Sequence, residues 1–316
     1  MRSVQINEYG SAEVAKIVED EKPRPSVGQL LIKVKASSVN PVDIQIREGH
    51  YEDFTPLPFK LGFDGAGTVE SVGSNDSEFT VGDRVYFVPQ IFNGVGTYGD
   101  YAVVETKFVA KIPNGLDYNE AAALSLAGSA AWESLITRGR LKEDEIVLIH
   151  AGAGGVGHIA IQVAHAIGAK VIATGKRKNL DTLESLGANV SLDYEDPSFI
   201  MNLKEATKDG VHLVLDSIGG STISDSAEIL LPYGRIVSLA DYSPPQNLQE
   251  LWPKNAEINL FYMSPSNEYL NKLNYLVDQG KLRVIVDKVF PLEKVVEAHK
   301  YMTKRGRVGK VVLSVN

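Results

Sequence analysis

The residues best suited to chemistry lie in the middle of the chain, where Ala151-Gly152-Ala153-Gly154-Gly155-Val156-Gly157 satisfies a GxGxxG spacing through Gly152, Gly154 and Gly157. Without Cβ atoms the backbone can turn sharply and approach a pyrophosphate, whose charge meets the unpaired N–H groups and positive end of a following helix. Ala153, Gly154, Gly155 and Val156 are the turn residues expected against the phosphates. About twenty residues after the first glycine, an NAD-binding unit offers Asp or Glu to the adenosine ribose. This chain has Thr174-Gly175-Lys176-Arg177-Lys178 there. Lys176, Arg177 and Lys178 suit a ribose 2′-phosphate, each charge-assisted hydrogen bond contributing on the order of 1.5–3 kcal/mol. The expected cofactor is NADP(H), and the plainer alternative is a solvated basic loop. A methyltransferase would carry an acidic residue just before the turn, where Ile149 and His150 stand.

The turn has to be held by a strand before it and a helix after it. Glu145 to His150 is a near-continuous apolar run, as in a buried parallel strand, and Ile159, Val163, Ala164 and Ile167 mark a helix that Gly168 ends. Strand Lys170–Thr174, helix Leu180–Leu186, strand Val211–Asp216, helix Ser221–Leu231, and strands Arg235–Leu239 and Glu257–Phe261 follow, which predicts an α/β, doubly wound parallel sheet. Ligands of such sheets lie at the strand ends, so Ile218, Leu239 and Ala240 are expected along the cofactor. Before this unit the chain reads as short strands with Gly-lined turns, and a helix rich in alanine runs through Ala121–Leu135. After Met263 the alternation breaks, and the tail is too small to bury a core alone. It should return to the first part, dividing the chain into residues 1–120 with 263–316 and residues 121–262. Phe261 and Met263 then flank the cleft between lobes, with apolar core packing as the alternative for both.

Composition narrows the chemistry further. The 316 residues include no cysteine, which removes thiolate nucleophiles, four-cysteine zinc sites, iron–sulfur clusters and redox disulfides. A net charge of -8 argues against a nucleic-acid footprint spread over the surface. The six histidines show no metal-ligand spacing, so no metal is expected. The N-terminus lacks the apolar core of a signal peptide, making a cytoplasmic location the expectation.

These motifs, with Ser38-Val39-Asn40-Pro41-Val42-Asp43, Leu61-Gly62-Phe63-Asp64-Gly65-Ala66-Gly67, Val81-Gly82-Asp83-Arg84-Val85, Gly96-Thr97-Tyr98, Leu215-Asp216-Ser217-Ile218-Gly219-Gly220, Glu297-Ala298-His299 and Gly309-Lys310-Val311-Val312-Leu313, resemble the zinc-independent quinone oxidoreductase branch of the medium-chain dehydrogenase/reductase superfamily. The resemblance implies a GroES-like β-rich catalytic domain split around a Rossmann domain, and a homodimer. It places Asn40 beside the nicotinamide, able to donate to an acceptor oxygen, although Asn40 could equally cap the turn before Pro41. It also places Tyr194 beside the adenine and Lys310 among the cofactor contacts. Zinc-dependent relatives hold their metal with Cys where Asn40 stands and His where Phe63 stands. Losing that Lewis acid favours a conjugated acceptor, a quinone or α,β-unsaturated carbonyl, over a plain alcohol. Asp43 and Asp64 match positions near the relatives' metal; Asp64 joins Asn40 as a catalytic candidate, though capping or binding of backbone N–H groups is the commoner role for both. Tyr51 and Tyr98 are proton-donor candidates by chemistry, with core packing as the alternative. Ala130 departs from a family threonine, and Ser129 is its possible substitute. An enoyl-thioester reductase and a non-catalytic NADP(H)-binding sensor are the alternative functions.

Overall fold

The computed structural model describes residues 1–73, 78–240 and 248–315. Its first part is built on the strand Gln29–Val39, whose alternating apolar side chains are buried on both sides of two register shifts. A largely antiparallel sheet forms around it in the order Val286–Pro291, Lys310–Ser314, Gln29–Val39, Gly65–Val72, Arg84–Phe87 and Val109–Lys111, with Tyr101–Glu105 also paired to the central strand. The end of the chain therefore joins the first sheet, Val311 lying opposite Val39 and Leu313 opposite Ser37. A smaller sheet of Lys16–Glu19, Arg2–Ile6 and Phe59–Lys60 covers it.

The second unit is a six-stranded parallel sheet in the order Val190–Asp193, Lys170–Gly175, Ile146–Ile149, Val211–Asp216, Leu230–Ser238 and Glu257–Leu260. Alternation along each strand feeds two cores. Val147, Ile149, Val171, Ala173, Leu213 and Leu215 face one side, and Leu148, Ile172 and Val214 the other. Chain order reverses direction between Ile146–Ile149 and Val211–Asp216, so the ligand crevice of this Rossmann sheet opens at their carboxyl ends. Among the described residues no helix is long and apolar enough to cross a membrane.

Two expected elements differ. The helix expected over Ser221–Leu231 ends at Ala227, and Leu230–Ser238 is strand. Pro232 forces Leu231 toward extended backbone, and Leu230 already pairs beside Val211. The alanine-rich helix spans Tyr118–Trp132, opened by reciprocal hydrogen bonds between Asp117 and Glu120. It then widens into a π turn over Glu133–Arg138. Its small residues are buried all round because it packs on Gln29–Val39 and Gly65–Val72 as well as on helix Gly157–Ile167.

Candidate active site between the two lobes

The glycine turn joins strand Ile146–Ile149 to helix Gly157–Ile167. Gly152 N–H donates to the Thr174 carbonyl at 2.7 Å and Gly154 N–H to the Ala151 carbonyl at 2.8 Å, which folds the turn back on itself. Ala151 holds a φ of 51°, a left-handed conformation costing a non-glycine residue roughly 1 kcal/mol. The glycines serve different needs. A Cβ on Gly157 would sit 2.3 Å from the Ala151 oxygen, so this position closes the turn. One on Gly154 would meet only that same oxygen, at 3.2 Å, leaving its other side open to a phosphate. One on Gly155 would lie 2.7 Å from Cδ of Lys310, a residue of the other lobe. Ala153 is buried, and its carbonyl accepts from Gly309 N–H at 2.8 Å.

Val156, Leu239 and Phe261 pack against the cores of both lobes, while Met263 is buried with Phe63, Leu126 and Ala130. Two residues missed by the sequence reading hold this crossing. The buried Glu133 carboxylate accepts from Ser264 N–H at 3.1 Å and from Arg138 at 3.0 Å, and the Arg138 guanidinium lies 5.2 Å from the Phe261 ring centroid. Both lie in the π turn, a distortion frequent at functional sites. Ser129 does not present its hydroxyl to the cleft: it donates back to the Ser125 carbonyl at 2.8 Å and is fully buried.

At the far end of the crevice the basic trio has company. Lys176 pairs with Glu195 at 2.7 Å, and Arg177 reaches Asp193 at 3.3 Å and Asp196 at 2.9 Å. The sequence reading expected no carboxylate there. The parallel register sets Gly175 beside Asp193, bringing the acidic end of the next strand alongside the cations. Lys176 and Lys178 also flank Gly306, and Arg305 depresses the Lys176 pKa that Glu195 raises. Tyr194 follows the same strand end with its side chain partly exposed, and Ile218 is exposed at the mouth of the crevice.

On the GroES-like side, Asn40 precedes helix Pro41–Arg47 in extended backbone, as a residue before proline should. Its carboxamide donates to the Ser38 carbonyl at 3.0 Å and to Asp64 at 2.9 Å, and its oxygen accepts from the Lys310 ammonium. Neither N–H of the amide is left over for an acceptor. Asp64 accepts from Ser38 N–H at 2.6 Å and from the Ser38 hydroxyl at 2.5 Å. Asp43 accepts from Asn40 N–H at 2.8 Å and Gly62 N–H at 3.0 Å. Both carboxylates are wholly buried. Burial and the nearby Asp64 push Asp43 up to about 7, and burial also raises Asp64. Tyr98, 1% exposed, sits inside this cluster with its hydroxyl 3.5 Å from the Ser38 carbonyl, and burial and Asp43 raise its phenol well above the ordinary value. Tyr51 differs: it is half-buried, with its ring 5.6 Å from that of Phe92, which in turn stacks on Tyr262 at 5.3 Å. Among the described residues no three His, Asp or Glu side chains converge as a metal site.

Residues 26–114 match the alcohol dehydrogenase GroES-like domain, and residues 186–313 match the zinc-binding dehydrogenase domain. A quinone oxidoreductase of Sus scrofa is 32% identical over 99% of this chain and 97% of its own length. The chain belongs to the medium-chain dehydrogenase/reductase family and is quinone oxidoreductase-like. Two solved structures share the fold of this medium-chain oxidoreductase over nearly their whole lengths. One, described as an NAD-dependent alcohol dehydrogenase, is 29% identical with a TM-score of 0.93 and complete coverage of both chains (100% each). The other, a mycobacterial protein solved in complex with NADPH, is 30% identical with a TM-score of 0.88 and 99% coverage of each chain.

Proposed function

We propose that this oxidoreductase uses NADPH to reduce quinones or α,β-unsaturated carbonyls, without zinc, as a homodimer whose catalytic lobe comprises residues 1–120 and 263–316 and whose nucleotide lobe comprises residues 121–262. The observation that carries the reading is the contact of Lys310 with Asn40. Zinc-dependent relatives place metal ligands at the positions of Asn40 and Phe63. Here the single acceptor oxygen of Asn40 is taken by a buried ammonium, and Phe63 has no donor atom. This donor set does not fit zinc.

NADPH, when bound, supplies a hydride from the nicotinamide. The glycine turn receives its pyrophosphate against the helix Gly157–Ile167. Lys176, Arg177, Lys178 and Arg305 would hold its 2′-phosphate. Leu239, Phe261 and Met263 wall the nicotinamide, and Glu133 and Arg138 keep that wall in place. Hydride addition to a conjugated carbon spreads charge to the acceptor oxygen, so the protein mainly positions the acceptor and supplies a donor. Tyr51, rather than the enclosed Tyr98, is the phenol assigned to that oxygen.

Loss of NADPH absorbance against a panel of quinones, enals and enoyl thioesters tests the reading. Turnover of quinones or enals supports it. Preference for the thioesters would move the assignment to an enoyl reductase, and tight NADPH binding without any turnover to a sensor. We expect NADPH to bind at least about tenfold more tightly than NADH, and Lys176→Ala with Lys178→Ala to remove most of the difference. Equal affinities in the wild type would sink the cofactor assignment.

A further inference from the structure

We propose that Lys310 is a positioning residue that couples the nucleotide turn to the acceptor side of the cleft. This rests on reading the cleft as a nicotinamide and acceptor site. Lys310 opens the last strand, Lys310–Ser314, and its backbone is tied to the nucleotide side, because Gly309 N–H donates to the Ala153 carbonyl at 2.8 Å and Lys310 N–H to the Ile285 carbonyl at 2.9 Å. The stem then runs over Gly155, where a Cβ would lie 2.7, 3.6 and 3.9 Å from Lys310 Cδ, Cγ and Cε. At its tip the ammonium donates to the Val39 carbonyl at 3.2 Å and to Asn40 Oδ1. The Asn40 amide is fixed at its other end by Ser38 and Asp64.

One side chain thus touches the turn that meets the pyrophosphate and sets the rotation of the amide beside the acceptor. A Cβ at position 155 would press on this lysine stem. The charged and titratable groups facing the ammonium are Asp64, Asp43, Arg307 and, across the turn, His158. The two buried carboxylates offset the charge of the cation without pairing to it directly, and an uncompensated charge there is costly. A displacement of Gly155 on cofactor binding must move the lysine stem and, through it, Asn40.

Lys310→Met keeps an unbranched stem and removes the ammonium. We expect kcat/KM for the acceptor to fall about tenfold or more while the NADPH dissociation constant changes less than about threefold. Gly155→Ala pushes the stem aside and should lower kcat/KM in the same way, and the two changes combined should be no worse than the worse single one. Because Lys310→Met leaves two buried aspartates without their cation, Lys310→Met with Asp64→Asn is measured beside it as the charge-balanced form. A readout without turnover is the side-chain amide resonance of Asn40, assigned through Asn40→Asp: NADPH should shift it in the wild type and not in the charge-balanced double variant. Multiplying effects of Gly155→Ala and Lys310→Met, or an Asn40 resonance that NADPH leaves unmoved in the wild type, would overturn the coupling. If NADPH shifts the resonance but no acceptor is reduced, the reductase assignment fails and the coupling stands.

Discussion

Asp216 ties two loops of the cofactor crevice through one buried carboxylate. Its Oδ1 accepts from Ile218 N–H at 2.9 Å and Gly219 N–H at 3.2 Å, and its Oδ2 accepts from the Ser238 hydroxyl at 2.8 Å. Its backbone carbonyl receives Leu239 N–H at 2.9 Å. Asp216→Ala leaves buried donors without partners, which costs about 1–3 kcal/mol of stability, and it frees Ile218 from Leu239. The expected kinetic result is a KM for NADPH raised about tenfold with kcat changed less than about twofold, and an unchanged KM would show that the loops hold themselves. At this scale sequence reading goes as far as local chemistry goes. The glycine turn is legible because its GxGxxG spacing is local: Gly154 and Gly157 answer to the Ala151 backbone, whereas the neighbours of Gly152 (Ala173, Ile161, Leu183) and of Gly155 (Lys310) are brought in by the fold. Asp216 stands in the quoted motif Leu215-Asp216-Ser217-Ile218-Gly219-Gly220, but its partner Ser238 is brought to it only by the pairing of neighbouring strands. Glu195 reaches Lys176 for the same reason, and no spacing rule predicts it.

Helix Gly157–Ile167 does more than present its N-terminus to a phosphate, because it also fastens the returning chain. His158 Nδ1 is 2.9 Å from the Gly154 carbonyl, and its Nε2 accepts from Ile285 N–H at 3.3 Å, which fixes the neutral tautomer with hydrogen on Nδ1. Gln162 bonds Arg283 through both its amide atoms, at 2.9 Å each. Burial pushes His158 down to about 4, and burial with the nearby Arg47 pushes His299 down to about 3. Both are neutral in the folded protein and protonate on unfolding below 6.5, so the stability they contribute is present above pH 6.5 and lost as pH falls through about 4 for His158 and about 3 for His299. Asp43 acts in the opposite sense: with its pKa raised to about 7, its contribution is lost as pH rises from 3.8 through 7. The two effects oppose each other in the wild type, so the informative measurement is a difference. His299→Asn keeps an acceptor for Arg47 and removes one titration, and it should take about 1.4 kcal/mol per pH unit from the acid-side slope of stability between pH 6 and pH 4, a window set by the cited shifts. Equal slopes of Tm against pH for variant and wild type would count against a neutral buried His299. The element pattern itself was largely readable, since strand Ile146–Ile149 and this helix carry clear periodicities. The reading differs at Leu230 and Leu231, where apolar spacing suits a helix while Pro232 and the pairing with Val211 require a strand; the strand expected over Arg235–Leu239 is present.

The whole molecule is held together by two unlike seams. Helix Tyr118–Trp132 closes the inner one, with small residues so close to their neighbours that a Cβ on Gly128 would stand 2.7 Å from Leu273 Cδ1. Its alanine content marks a buried helix in the sequence, but not that it serves both lobes, because that depends on strands roughly sixty and ninety positions earlier. The outer seam is an edge. Among the described residues the strand Glu257–Leu260 pairs only with Leu230–Ser238, so its far side offers open backbone groups. Trp252, 84% exposed, precedes it, and Leu260 and Tyr262 are exposed at its end. The opposite edge, Val190–Asp193, is followed by Glu195 and Asp196 and is therefore protected by charge. The strand's one charge, Glu257, is paired with Arg140 at 2.5 Å, and its far end is apolar; an open edge of this kind invites a second copy of the same chain, and a two-fold axis beside Glu257–Leu260 would run the two strands antiparallel and bury both tryptophans. The expected species in sedimentation velocity at micromolar concentration is a dimer. Leu260→Asp with Trp252→Glu should shift it to monomer, with the NADPH affinity changed less than about threefold because neither side chain reaches the crevice contacts described above. A wild-type monomer at that concentration would remove the dimer, and a double variant that still dimerises would move the interface to another face.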